Sequence, residues 1–308
     1  MIDFSKFNSL VQLSQYFRTE AICRKTIEES RWGQDVVCPY CGHHHCYKGY
    51  RGRYVCPGCK NKFSCLVGTI FENTKVSLRK WFMAMYLISS HKKGISSNQL
   101  AKDIKVTQKT AWYMLQKIRI LFYQEEEELS GSIELDEVYI GGREYFKHKS
   151  KQTRGTQGRS TKTKTPIFGL LERRMIGSMV KAFVVSKTDR NTLLPIVANI
   201  CKPGSHLYTD ELSSYVPLTS MGYTHTVVVH GLGQYVNGGA YTNNIEGFWA
   251  HLKRMITGTY HHLSPHHLQR YLDESVFRWN TRKMSEGQRF KMMFGRSLCV
   301  VPYSVVVV

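Results

Sequence analysis

The chain is short of acidic residues and of long apolar runs, and both shortages restrict what it can be. It has 23 Asp and Glu residues against 43 Lys and Arg residues, for a formal net charge of +20 at pH 7. No apolar run reaches the roughly 18 residues of a membrane span, and the first residues lack the apolar segment of a signal peptide, so we expect neither. The charge excess predicts a polyanionic partner, most often nucleic acid. A basic protein that is merely soluble, or one adsorbed to an anionic membrane, is the alternative.

The nine cysteines are an odd number, and six of them lie between Cys38 and Cys65. This clustering favours metal binding in a reducing compartment over a disulfide framework. The segments CPYCG and CPGCK supply two C-x2-C pairs, whose thiolates can meet at one tetrahedral ion. We therefore predict a structural Zn²⁺ in a zinc ribbon, with disulfides or coincidence as the alternative. The predicted ligands are Cys38, Cys41, Cys56 and Cys59.

The block at 77–122 has the pattern of three helices, and Thr107 is suited to cap the third. A short helix, a tight turn and a longer helix are typical of a DNA-reading helix-turn-helix, although any three-helix bundle gives a similar pattern. The neighbouring ribbon and the charge favour DNA reading. We expect Lys117 and Arg119 to lie nearer phosphates or solvent. The residues expected to face the major groove are Gln108, Lys109 and Thr110.

From residue 132 onward the pattern changes to strands and helices in the order β-β-β-α-β-α-β-α, followed by an extra helix. Three strands before the first helix imply an antiparallel meander joined to parallel strands, with helices covering the sheet. A basic stretch at 143–165 has no periodicity, and we expect a loop that binds DNA backbone. Its basic residues are Lys147, Lys149, Lys151, Arg154, Arg159, Lys162 and Lys164.

Three carboxylates stand where this pattern would place metal ligands. Asp136 lies within the first strand, where a carboxylate is unfavourable without a cation. Asp210 ends the fourth strand, at an edge where open α/β sheets bind ligands. Glu246 lies in the first turn of a helix, and Lys253 follows two turns later on the same face, suited to hold a phosphate beside bound metal ions. Arg254 extends this basic surface and is expected to contact DNA.

Any one of these acids alone reads as a surface or capping residue. Together they predict a site for two Mg²⁺ ions, or Mn²⁺ in their place, of the kind that serves phosphoryl transfer on nucleic acid. The rival ligands are Glu134, Glu137 and Glu211, and Glu134 is the first to test because it shares a strand face with Asp136.

Several stretches together cover most of residues 30 to 283: RW at 31–32, CPYCG, CPGCKNKFS, GTIFENTKVSLRKWFMA, ELDEVYIGG, LYTDELSSY and TNNIEGFWAHLKRMITGTYHHLSPHHLQRYLDESVFRWNTR. They resemble DDE transposases of the IS1595 (ISXO2-like) insertion-sequence family, related to the eukaryotic Merlin elements. The resemblance implies an RNase H-like catalytic fold and Asp136, Asp210 and Glu246 as the metal-binding triad. It also implies that the ribbon and helix-turn-helix recognise terminal inverted repeats. Tyr241 stands where the family usually has His.

We therefore predict an α/β chain in which an RNase H-like domain, built on a mixed five-stranded sheet with helices, follows a zinc ribbon and a helix-turn-helix. The expected divisions are an N-terminal helical segment at 1–30, the zinc ribbon at 31–72, the helix-turn-helix at 73–124, the catalytic domain at 131–285 and a C-terminal tail at 286–308.

The predicted function is that of a transposase that binds terminal inverted repeats, cleaves DNA and joins it to target DNA. We expect a homodimer or larger assembly on DNA, in the cytoplasm at the nucleoid, or in the nucleus for a Merlin-type element. The alternatives are a DNA-binding regulator or domesticated protein without catalysis, and a metal-dependent nuclease.

Overall fold

The computed structural model describes residues 3–141, 148–155, 160–228 and 242–298, apart from the side chain of Arg51. The chain divides into two compact units: Met1–Phe122 with Lys283–Val308 forms unit 1, and Tyr123–Arg282 forms unit 2. Within the described ranges, every helix falls short of the length or the apolar character that crossing a bilayer requires.

The elements of the described residues are named in chain order. The helices are α1 (Leu10–Tyr16), α2 (Glu20–Trp32), α3 (Leu78–Ser90), α4 (Ser97–Ile104), α5 (Gln108–Arg119), α6 (Arg190–Ile200), α7 (Asn243–Met255), α8 (Leu268–Asn280) and α9 (Glu286–Ser297). The strands are β1 (Tyr47–Lys48), β2 (Tyr54–Val55), β3 (Lys62–Phe63), β4 (Ser132–Gly141), β5 (Lys164–Arg173), β6 (Ser178–Val184), β7 (His206–Thr209) and β8 (Thr224–Val227).

Unit 1 contains the ribbon and the helix-turn-helix. Strands β1 and β2 lie between the two C-x2-C segments and β3 follows the second segment. The three strands form a small antiparallel sheet. Helix α4 begins after Ser96, whose hydroxyl accepts the Gln99 amide hydrogen at 3.1 Å, and α5 begins after Thr107, which accepts from the Thr110 amide at 3.2 Å. Between them Lys105 adopts the left-handed conformation that makes the turn tight. The predicted helix-turn-helix is therefore confirmed as a structure.

Residues 286–308 were expected to form a tail, but Glu286–Ser297 form α9. Ser285 and Gln288 begin it with a reciprocal capping box. Apolar residues at helical spacing give it a buried face, and Phe294 packs against Phe4 with ring centroids 4.7 Å apart. Because both ends of the described chain meet in this core, α9 belongs to unit 1.

Unit 2 is built on a five-stranded sheet in the order β6-β5-β4-β7-β8. Strands β4, β5 and β6 pair antiparallel, whereas β4, β7 and β8 run parallel. This confirms the predicted meander joined to parallel strands. Helix α6 packs through Leu193 and Val197 on one face, and α7 and α8 pack through residues such as Phe248 and Leu272 on the other. Successive residues of β4 alternate between these two layers.

Candidate active site and zinc site

The register of the central strands places two of the predicted metal ligands side by side. Strands β4 and β7 pair in parallel, and the last pair of this ladder joins Glu134 to Tyr208. Asp136 and Asp210 each follow two residues later, just beyond the point where this pairing ends. The site therefore lies at the carboxyl end of β7, the edge at which open α/β sheets bind ligands.

A third carboxylate, Glu137, lies beside these two. One carboxylate oxygen from each of Asp136, Glu137 and Asp210 lies within 4.8 Å of the other two, and the three residues are half-buried. The Tyr215 hydroxyl donates a hydrogen bond to Glu137 Oε1, and the Leu212 amide donates one to Asp210 Oδ1 at 3.0 Å. From the sequence, Glu137 was only a rival ligand, because the side chains of consecutive strand residues point to opposite faces of a sheet. The structure shows that the carboxylates of Asp136 and Glu137 nevertheless meet at one edge of the sheet.

Asp136 is held where its negative charge is unfavourable. Its pKa is raised to about 6, chiefly by burial, and the charges of Asp210 and Glu246 contribute to the rise. Opposing this, the Glu137 amide and the Trp249 indole both donate hydrogen bonds to the carboxylate. The Trp249 bond runs from Nε1 to Oδ2 over 2.9 Å. A pKa raised by burial together with neighbouring charges is a feature of candidate functional sites.

Glu246 lies in the first turn of α7 and is exposed. Its charge acts on Asp136, yet Glu246 is not one of the described carboxylates whose oxygens meet within 4.8 Å. Lys253 and Arg254 are exposed farther along the same helix. Lys253 follows Glu246 by seven residues and so lies on the same side of the helix.

Glu134, the rival that the sequence put first, has a different environment. Its side chain is fully buried, and Arg173 Nε donates to Oε1 at 2.7 Å. Asn244 Nδ2 donates to the same oxygen at 2.7 Å, and the Ile245 amide donates to Oε2 at 2.9 Å. Since Asn244 and Ile245 belong to the first turn of α7, Glu134 holds the start of the helix that carries Glu246. Both oxygens of Glu134 are engaged by protein donors, which argues against a role as a metal ligand.

The four predicted zinc ligands converge in unit 1. The thiols of Cys38, Cys41, Cys56 and Cys59 all lie within 4.8 Å of one another. The Sγ atoms of Cys38 and Cys59 are 3.7 Å apart, and those of Cys41 and Cys56 are 3.6 Å apart. A tetrahedral Zn²⁺ with Zn–S bonds of about 2.3 Å needs S–S separations of about 3.8 Å. The donor set therefore fits one structural zinc ion with no open position.

Comparisons with known proteins match the two stretches of the chain that contain these clusters. Residues 128–280 match the family described as ISXO2-like transposase domain, and residues 18–62 match the transposase zinc-ribbon domain. The chain is 31% identical over 262 residues to an uncharacterized protein in transposable element ISH50 of Halobacterium salinarum, over 81% of this chain and 85% of that protein. The chain belongs to the IS1595 (ISXO2-like) transposase family.

Two further matches are shorter or more distant. An uncharacterized transposase-like protein of Haemophilus influenzae is 31% identical over 105 residues, over 34% of this chain and 84% of that protein. A chain of the simian T-cell lymphotropic virus intasome, solved in complex with PP2A regulatory subunit B56 gamma, is 12% identical. Its TM-score is 0.30 over 64% of this chain and 67% of that chain. The family match and the mixed sheet with helices together confirm the α/β, RNase H-like fold class, preceded by a zinc ribbon.

In this IS1595-family chain, only the first half of α5 has the exposure that the sequence predicted. Gln108 and Lys109 are exposed, but the Thr110 hydroxyl bonds with that of Thr107 at 2.8 Å. Lys117 and Arg119 were expected near phosphates or solvent and are instead buried, with 6% and 1% of their surface exposed. Their half of the helix packs into unit 1, and Lys117 Nζ donates to the Ile70 carbonyl at 3.1 Å.

The exposed surface of α5 includes two aromatic side chains that the sequence did not single out. Trp112 and Tyr113 are each 38% exposed. Trp112 follows Lys109 by three residues, so the helical period could have indicated that both share a face.

The basic stretch between β4 and β5 is described in part. Lys149, Lys151 and Arg154 are exposed, with Lys149–Lys151 forming a 3₁₀ turn. Three positions named from the sequence lie outside the described residues: Lys147, Arg159 and Tyr241.

Proposed function

We propose that this IS1595-family chain is a DNA transposase whose triad Asp136, Asp210 and Glu246 holds two Mg²⁺ ions, or Mn²⁺ in their place. One observation carries the proposal. Asp136 and Asp210 meet at the open edge of the sheet, where burial and like charge raise the Asp136 pKa to about 6. Carboxylate oxygens are the ligands that Mg²⁺ prefers, and their mutual repulsion would be relieved by a cation. The donor set therefore fits the metal.

The chain's own residues have distinct parts in this proposal. Bound Mg²⁺ would supply charge stabilisation at the phosphate and activation of the attacking water. Asp136 and Asp210 would hold the ions, and Glu246 would complete the set from α7. Lys253 is exposed on the same side of α7 as Glu246 and is suited to hold a DNA phosphate. The same site would first release a 3′-OH at the element end and then direct that hydroxyl onto a target phosphodiester.

Recognition of the terminal inverted repeats is assigned to unit 1, with structural zinc in its ribbon. Gln108 and Lys109 begin the exposed part of α5, as in helices that enter the major groove. Thr110 lies in the first turn of α5, beside Gln108 and Lys109, and is proposed to face the major groove with them. Arg254 and the exposed Lys149, Lys151 and Arg154 would contact backbone phosphates, and so would Lys147 and Arg159. Because two ends must be joined together, we propose a homodimer or larger assembly on DNA.

Two other functions would use part of this machinery. A regulator or domesticated protein would bind DNA without chemistry, and a nuclease would cut without joining. The crowded carboxylates weigh against a regulator, because they are unfavourable in a protein that never binds a metal there.

Strand transfer in Mg²⁺ tests the proposal. A labelled duplex ending in the inverted repeat from beside the gene would be mixed with a plasmid target and with wild type, Asp136→Asn, Asp210→Asn or Glu246→Gln. Glu211→Gln is the matched control, because Glu211 is an exposed acid next to Asp210. Every protein would also be tested for binding to the labelled duplex.

We expect joined product from wild type and Glu211→Gln. Below about 1% of it should remain in the other three variants, since direct ligands matter more than the surrounding residues whose loss weakens metal sites about 10–100-fold. All five proteins should bind DNA. Cut ends without joined product would indicate a nuclease, and binding without cleavage by wild type would indicate a regulator.

A further inference from the structure

Trp249 is the side chain that connects α7 to Asp136. It lies three residues after Glu246, almost one helical turn along α7, and is 3% exposed. Its indole Nε1 donates to Asp136 Oδ2 at 2.9 Å. An indole N–H can only donate, so Trp249 always contacts the carboxylate as a donor and never competes with it for a cation.

Gly169 makes this contact sterically feasible. It stands directly opposite Asp136 in the ladder between β4 and β5. A Cβ atom at this position would lie 2.5 Å from both Cζ2 and Cη2 of the Trp249 ring. Glycine inside a strand weakens the strand and often marks the close approach of another group. The glycine across from Asp136 is thus explained by the indole that lies against it.

Trp279 packs in the same helical layer as Trp249 and provides a comparison, because its indole has only a structural role. Trp279 on α8 donates from Nε1 to Ser178 Oγ at 3.0 Å and packs edge-on against Phe248. Its acceptor is a neutral hydroxyl outside the carboxylate cluster. The two indoles share a helical layer and a hydrogen bond of similar length, but only Trp249 holds a member of the proposed triad.

We propose that Trp249 is a positioning residue of the proposed metal site. It fixes the Asp136 carboxylate in the orientation that brings one of its oxygens within 4.8 Å of an oxygen of Glu137 and of Asp210. Because it belongs to α7, it also ties that orientation to the helix that carries Glu246. The inference rests on the proposed function, since it assigns Trp249 a role toward a cation held by this cluster.

The test compares the zinc-loaded full chain as wild type, Trp249→Phe and the matched control Trp279→Phe. Calorimetry would measure the binding of Mn²⁺, and strand transfer would be measured against Mg²⁺ concentration. Thermal unfolding without added Mg²⁺ or Mn²⁺ would report the integrity of the fold. Phenylalanine keeps an aromatic ring in each position while removing the N–H donor.

We expect Trp249→Phe to weaken Mn²⁺ binding by about 10–100-fold, the usual effect of losing a group that orients a metal ligand. Its strand transfer should need correspondingly more Mg²⁺ and recover when Mg²⁺ is raised. Trp279→Phe should leave Mn²⁺ affinity within about threefold of wild type, a difference below the range for an orienting group. Equal Mn²⁺ affinity in wild type and Trp249→Phe would overturn the inference while leaving the proposed function intact. Absence of Mn²⁺ binding and of strand transfer in wild type would overturn both.

Gly169→Ala provides a second test, and in the otherwise wild-type chain its result does not depend on how Trp249→Phe folds. The added methyl group must displace the indole, so it should weaken Mn²⁺ binding in the wild-type background. In the Trp249→Phe background it should have little further effect, because the donor is already gone. Residues that act through one contact give non-additive effects of this kind. Additive losses of affinity would show that Gly169 and Trp249 act independently and would overturn the inference.

Discussion

The thiol cluster of unit 1 and the carboxylate cluster of unit 2 each gather metal-ligand side chains within 4.8 Å, but they are built in opposite ways. The thiols come from two local knuckles of one small ribbon, and Cys38 and Cys56 are buried among its core residues. Two of the carboxylates, Asp136 and Glu137, come from β4, and Asp210 follows the end of β7; all three are half-buried at a sheet edge. Four thiolates close the coordination of one ion, whereas an open carboxylate edge leaves room for a substrate. The first arrangement suits folding and the second suits chemistry.

Glu134 shows that the crowding at the sheet edge is specific to that position. It lies two residues before Asp136 on the same strand face, yet protein donors engage both of its oxygens. Asp136 instead faces the charges of Asp210 and Glu246. Strand β4 therefore carries two different carboxylates: Glu134 is neutralised and hydrogen-bonded by protein groups, whereas Asp136 lies among other negative charges. This contrast supports separate roles in holding α7 and in holding a cation.

The largest expected effect comes from opening the thiol cluster. Cys56→Ser removes a fully buried ligand from the predicted zinc site. Binding of structural zinc supplies about 10 kcal/mol or more of folding free energy in small zinc domains, so the ribbon should unfold and the bound zinc should fall from one ion per chain toward zero. Zinc content by elemental analysis and the circular dichroism of the full chain would measure this.

Cys46→Ser is the matched control for that experiment. Cys46 is buried in the same ribbon core, and its thiol contacts the His43 carbonyl at 3.5 Å, outside the group of four. We expect this variant to keep one zinc per chain. Equal loss of zinc from both variants would show that the ligand set is wrong.

A smaller effect, on the free energy of unfolding, is expected from removing the charge of Glu134. Glu134→Gln leaves the Arg173 guanidinium without its buried partner, and breaking such a pair lowers the free energy of unfolding by about 3–5 kcal/mol. We expect the lower end, because the Arg173 side chain is 17% exposed and also lies over the Tyr208 ring at 4.3 Å. Urea unfolding would measure the change.

The neighbouring pair of Arg174 and Glu127 provides the control. Its N–O distance is 2.8 Å, close to that of the Glu134 pair, but its side chains are 34% and 52% exposed. Surface pairs contribute about 0–1 kcal/mol, so Glu127→Gln should have little effect. A loss in Glu134→Gln no larger than in Glu127→Gln would contradict the structural role of Glu134.

Local sequence patterns predicted the features that depend on local chemistry. The C-x2-C pairs indicated the thiol cluster, and the cap at Thr107 indicated the start of α5. Contacts between residues far apart in the sequence could not be predicted from such local patterns. The burial of Lys117, the hydrogen bonds of Glu134 and the indole opposite Gly169 each depend on which elements pack together. The sequence placed Asp136 and Asp210 near one edge, but only the register of β4 and β7 shows why they meet.

The smallest expected effect is the contribution of Asp136 to the pH dependence of the free energy of unfolding. Burial raises the Asp136 pKa to about 6 in the folded chain, against a usual 3.8. The folded state thus binds this proton more tightly than the unfolded state. The group therefore lowers the free energy of unfolding progressively as pH rises from about 4 to about 6. Without added Mg²⁺ or Mn²⁺, Asp136→Asn should match wild type near pH 4 and be more stable at pH 7, by about 1–2 kcal/mol once partial exposure is allowed for.

Urea unfolding of the two proteins across this pH range would measure the difference, with Glu211→Gln as an exposed control that should stay within about 0.5 kcal/mol of wild type. Asp273, whose pKa burial also raises to about 6, titrates in both proteins and cancels from the comparison. Saturating Mg²⁺ should narrow the gap at pH 7, because only wild type keeps the full set of ligands and binding to the folded state stabilises it. A variant less stable than wild type at pH 7 without Mg²⁺ would mean that the protein itself satisfies Asp136, as it does Glu134, and would remove the contrast on which the proposed metal site depends.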